Sequence, residues 1–126
     1  MSTDTGSFSL DTDSLGGLAY VGIVAAIISG LIHLRLGVGF IDSPLGISFL
    51  LAGLGFLGAV VLVLVNYRRR TVYAVGIPFT AIQIVLWYYV NFVAGDYAFP
   101  ADVGTLGAID KVAQVVLIAV LVVLLR

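Results

Sequence analysis

A chain of 126 residues with net charge −1, 61% hydrophobic and only 10% charged, cannot cover a water-facing surface, for which about 25% charged residues are usual. Cysteine is absent, which excludes disulfides, thiolate metal sites and cysteine nucleophiles together. Glutamate is absent as well, Lys111 is the lone lysine, and no basic surface for nucleic acid is present.

The first 16 residues are rich in Ser, Thr and Asp, with Asp4, Asp11 and Asp13. They lack the positive n-region of a secretory signal peptide, and their composition predicts a disordered acidic tail over 1–16. A single domain over 17–126 follows. A bilayer of ~30 Å of hydrocarbon needs about 20 apolar residues to cross, and four runs meet that length. The first covers about 18–40 and ends at the turn signal Asp42-Ser43-Pro44. The second covers about 45–65 and stops at Asn66-Tyr67-Arg68-Arg69-Arg70. A third covers about 72–94, a loop with Gly95, Asp96, Pro100 and Asp102 follows, and the fourth covers about 105–125. The predicted fold class is all-α, an integral membrane four-helix bundle.

Arginine position sets the expected orientation, because Lys and Arg accumulate on cytoplasmic loops near the spans. Arg68, Arg69, Arg70 and Arg126 fall on one side, so both termini are expected in the cytoplasm and the chain in the cell membrane. The three clustered arginines are read as setting topology and touching lipid headgroups. Trp87, Tyr88, Tyr89 and Tyr97 then fall near the outer interface, and Tyr67 and Tyr73 near the inner one.

Helical spacing picks out the faces that meet. Gly22, Ala26, Ser29, Gly30, His33 and Gly37 share one face of the first span. Ser48, Ala52, Gly55, Ala59, Leu62 and Asn66 do so in the second. Small residues at such spacing let helix backbones approach closely in a membrane. The third span sets Tyr73, Gly76, Thr80, Gln83, Trp87 and Asn91 on one side, with Pro78 expected to kink it. The fourth aligns Asp110, Ala113, Gln114, Leu117 and Leu121. At ~1.5 Å rise per residue, His33, Asp110, Gln114 and Asn91 come to similar depths in the outer half, with Gln83 nearer the middle. These residues, with Trp87 as a roof, are the candidate ligand-binding set.

Each candidate has a plain structural role as an alternative. His33, the only histidine, is either a proton or ligand contact or a neutral side chain bonding helices together. Asp110, beside Lys111, suits the positive end of a helix dipole, with a buried pairing to His33 as the alternative; Lys111 reads as near the surface. Arg35 reads as a snorkelling arginine or as the partner of a loop aspartate. No metal site, cofactor or catalytic residue is expected: a haem between two histidines would need two subunits, and no nucleophile constellation or phosphate-binding glycine loop is present.

Two transporter families of this size and span number do not fit. Small multidrug-resistance transporters use a first-span glutamate, and small fluoride channels carry a Gly/Thr/Ser-rich motif, neither of which stands here. The run Gly30 to Gly37 (GLIHLRLG), the run Phe49 to Phe56 (FLLAGLGF) and the acidic tail resemble small uncharacterised four-span proteins of haloarchaea. That resemblance implies a four-helix bundle in a haloarchaeal cell membrane and brings no activity. The functional expectation is a non-enzymatic membrane subunit, a homo-oligomer or part of a larger membrane complex, with spare small faces such as Gly46 with Gly53 for the partner. The alternatives are a binding protein for a lipid, quinone or other amphiphile at the outer polar cluster, and ion or proton conduction by an oligomer.

Overall fold

Small side chains bring the first helix close to its neighbours, and many large apolar ones face outward. The computed structural model describes residues 9–126, so the first half of the expected tail lies outside the described residues. Four helices make up the fold: α1 Gly17–Gly39, α2 Pro44–Leu64, α3 Arg69–Tyr88 and α4 Thr105–Leu125. Each is long and apolar enough to cross a membrane, α3 being counted with the π-helical turn that extends it. The interior is built from Ala19, Ala25, Ala26, Ser29 and Ala113 with Phe56 and Leu117, while Val21, Val24, Leu51, Leu54, Val85 and Val112 are exposed. A water-soluble monomer rarely exposes so continuous an apolar surface.

The α1–α2 turn and the loop before α4 lie at one end of the bundle, called here the far end. The start of α1, the end of α4 and the α2–α3 turn lie at the other, called the termini end. Helix α1 packs closely on α2 and on α4, and α3 leans on α4, whereas α2 and α3 touch only lightly. The α2–α3 seam is therefore the loose side of the bundle.

The α1–α2 interface explains the glycines. A Cβ on Gly46 would collide with the Phe40 carbonyl, and one on Gly53 would stand 2.8 Å from Leu34 and 2.9 Å from the Gly30 carbonyl. The expectation that Gly46 and Gly53 form a spare face is corrected: the α1 backbone already occupies it, which is why neither position has room for a side chain. Ser43 caps α2 by accepting the Gly46 N–H at 3.1 Å, with Pro44 at the first helical position.

Helix α3 begins three residues before the expected 72 because Arg68 turns the chain with a left-handed backbone, φ 48° and ψ 46°. The arginines after it close helix ends: Arg69 Nε donates to the Val63 carbonyl at 2.8 Å, and Arg70 Nη2 to the Leu125 carbonyl at 2.7 Å. Carbonyls at a helix C-terminus lack intrahelical partners and carry partial negative charge, so a cation there is favoured. The Arg68 guanidinium lies 5.5 Å from the centre of the Tyr67 ring. Helix α3 runs through Pro78 and ends in a π-helical turn, Tyr89–Val93. Phe92 of that turn packs with Trp87 and Tyr88, and Phe99 beyond it packs with Tyr88 and Phe92, ring centres 5.2 to 5.4 Å apart, at the far end.

The chain ahead of α1 is tied across the termini end. The Asp11 N–H donates to the Leu64 carbonyl at 2.7 Å, and Arg69 reaches the Asp11 carbonyl and Ser14 Oγ at 2.6 Å each. Asn66 Nδ2 donates to the Asp11 carboxylate at 3.0 Å, and Tyr20 Oη to the Thr12 carbonyl at 3.0 Å. Residues 11–14 thus form a strap touching α1, the end of α2 and the start of α3. Arg69→Ala is expected to speed hydrogen exchange at the Asp11 amide about tenfold or more, since that bond then opens locally; unchanged protection would show that Arg69 does not hold the strap.

The Ser14 hydroxyl, and after it the Asn66 amide, hold the Asp11 carboxyl below its ordinary value of 3.8. A lowered carboxyl contributes stability above its unfolded value and loses it as pH falls through the folded one. The strap is therefore expected to stay docked at neutral pH and to release only below 3.8. The NMR signal of the Asn66 side-chain amide reports this directly; a change centred near neutrality would contradict it.

Candidate functional site

Ser29 is the hub of a polar cluster buried in the far half of the bundle. Its side chain is fully buried and faces α4 on the small-residue stripe of α1. Its hydroxyl donates to Asp110 Oδ1 at 2.5 Å and accepts from Gln114 Nε2 at 3.3 Å. Gln114 Nε2 also reaches Gln83 Oε1 on α3 at 3.3 Å, and Gln83 Nε2 returns to the Phe79 carbonyl at 3.1 Å. Lys111 closes the circuit, its Nζ 2.9 Å from Asp110 Oδ2 and 2.6 Å from Gln114 Oε1. The same ammonium lies 5.4 Å from the Trp87 ring centre, a cation–π distance.

His33 joins from the next turn of α1. Its Nδ1 donates to the Ser29 carbonyl at 2.8 Å; a carbonyl only accepts, so the proton resides on Nδ1. Asp110 Oδ1 is 3.8 Å from the same nitrogen. Phe49 and Phe56 of α2 wall the imidazole, ring centres 5.6 and 5.7 Å away. The arrangement joins α1, α3 and α4 by hydrogen bonds, while α2 contributes aromatic walls.

Of the expected set, His33, Asp110, Gln114 and Gln83 come together, and Trp87 covers Lys111. Asn91 does not join them: its amide donates to the Trp87 carbonyl of its own helix at 2.8 Å. Asp110 does not serve the start of α4. That helix begins at Thr105 with no acid in its first turn, so Asp110 lies a turn deeper, 5% exposed, and faces Ser29. Lys111 is likewise no surface residue, its side chain being 13% exposed. Arg35 is exposed and makes no ion pair among the described residues. Ser29 and Lys111 are members that the residue pattern alone did not single out, although Ser29 stands four residues before His33 on the same stripe.

Among the described residues no three His, Cys, Asp or Glu side chains gather as metal ligands. With Ser29, Asp110, Gln114, Gln83 and Lys111 bonded to one another across α1, α3 and α4, the cluster acts as an interhelical clamp.

Below it, toward the termini end, the interior changes character. A half-open void of about 60 Å³ lies among all four helices, walled by Ala26, Phe56, Val60, Gly76, Leu117 and Leu121 among others, with Thr80 in its lining. It lies where α2 and α3 pack lightly, with Ala59 on α2 and Thr80 on α3 in its lining. Phe79 crosses the seam, its ring tip 2.8 Å from where a Gly55 Cβ would stand. Thr80 is fully buried, and its hydroxyl has no hydrogen-bond partner.

No curated protein and no solved structure matches the sequence. The chain belongs to a family of unknown function, DUF7475, which it matches over residues 4–125.

Proposed function

We propose that this protein is a non-enzymatic membrane protein that lodges a small apolar or amphiphilic molecule between its helices. The observation that carries this reading is the void, an apolar space lined from all four helices. Binding sites for small molecules are concave and mostly apolar, and they occur between the helices of bundles. The site lies beneath the outer polar cluster rather than in it, because Ser29, Asp110, Gln114 and Gln83 already bond one another. The arginines at the termini end support an orientation with both termini in the cytoplasm, which sets the void in the inner half of the cell membrane. Equilibrium binding of nonane to the purified protein tests the reading. The native chain is expected to take up more nonane than Ala59→Leu, which fills the void from α2; equal uptake would contradict it.

A second reading, a subunit of a homo-oligomer or of a larger membrane complex, is favoured by α3, in which Thr80 is the one buried residue. A cysteine-free chain allows a clean test. Val85→Cys on the outer face of α3 is expected to cross-link to a neighbour in native membranes more readily than Val122→Cys on α4. Equal cross-linking at the two positions would remove α3 as the interface.

A further inference from the structure

The void contains a feature that a purely apolar guest leaves unexplained. Thr80 lines it, fully buried, with Oγ1 unpaired. A threonine inside a helix commonly donates its hydroxyl proton to the carbonyl four residues back, here Gly76, and that bond is not made. A buried hydroxyl without a partner is unfavourable. A water molecule in its place would need two to four polar partners, whereas Thr80 and Tyr73, seven residues apart on α3, are the two lining residues with a polar side chain.

Position on α3 gives the hydroxyl its meaning. Gly76 and Thr80 are four residues apart and share a face, and one turn below the hydroxyl the Leu121 side chain takes the place that a Gly76 Cβ would fill. One turn above stands Gln83, already committed to Gln114 and to the Phe79 carbonyl. The interior therefore grades from apolar walls, through one unsatisfied hydroxyl, to a closed polar cluster.

We propose that Thr80 is the polar recognition point of this site, so that its ligand is an apolar compound carrying a hydrogen-bond-accepting oxygen, a ketone, ether or ester, set beside Thr80. This rests on the reading of the void as a binding site. The hydroxyl donates to the ligand oxygen, and the apolar remainder lies along the void and projects through its open side.

Dibutyl ketone and nonane share a carbon skeleton and differ in one oxygen, so their equilibrium binding to the full chain isolates that contact. The native protein is expected to favour the ketone about three- to tenfold over nonane, the range of one net hydrogen bond. Thr80→Val, which keeps the shape and removes the hydroxyl, is expected to abolish that preference while nonane still binds. Thr80→Ser, which retains the hydroxyl, is expected to keep it. Equal binding of both probes to the native chain, or a preference that survives Thr80→Val, would overturn the role of Thr80 and leave the apolar site standing. Failure of the native chain to bind either probe above the level of Ala59→Leu would overturn both.

Discussion

Replacing Asp110 by alanine is expected to destabilise the bundle by about 3–5 kcal/mol, the usual cost of leaving one member of a buried ion pair alone. Lys111 would lose a carboxylate at 2.9 Å while its side chain stays 13% exposed, and the Ser29 hydroxyl would lose its acceptor. The double replacement Asp110→Ala with Lys111→Met is expected to recover much of the loss, because removing both charges leaves neither one buried without a partner. Thermal or denaturant unfolding in mild detergent, followed by circular dichroism, measures both variants. A single variant as stable as the native chain would show that the pair is solvated rather than buried.

The α1–α2 interface gives the second large effect. Gly46→Ala is expected to cost about 3 kcal/mol, at the upper end of overpacking penalties, because the added Cβ meets the rigid Phe40 carbonyl rather than a movable side chain. Gly58→Ala on the same helix is expected to have the opposite sign. Nothing lies within 4 Å of its Cβ position, so alanine there gains about 0.5–1 kcal/mol of helix propensity. Two variants of the same chemistry on one helix thus separate packing from propensity. Loss of stability at both positions would mean that α2 faces α1 in a different register.

The helices were legible because apolar runs of about 20 residues and their breakers are local signals. Pro44 and Ser43 mark the start of α2 without knowledge of anything else in the chain, and α4 runs 105–125 in both readings. The start of α3 was not legible, since it depends on the left-handed backbone at Arg68 and on which carbonyls Arg69 and Arg70 reach. Depth and helical phase brought His33, Asp110 and Gln114 to one place and set Gln83 nearer the middle, whereas the structure joins Gln83 to Gln114. They failed for Asn91, where an amide one turn from a carbonyl of its own helix bonds locally. Lys111 misleads for a related reason: its Cα lies off the stripe, and only its long side chain carries the charge back to Asp110 and Gln114. The void had no signature, because it arises from how lightly α2 and α3 pack. That is a property of four helices together, and Gly55, Ala59 and Gly76 read singly as ordinary packing residues.

The most direct test of the central claim is to extract the protein gently from its own membrane and identify by mass spectrometry the apolar compounds it carries. The native chain is expected to hold one compound in near-equal molar amount, with a carbonyl, ether or ester oxygen on an apolar body. The same preparation of Ala59→Leu is expected to lack it. An identical set of compounds on both proteins would contradict a binding site between the helices.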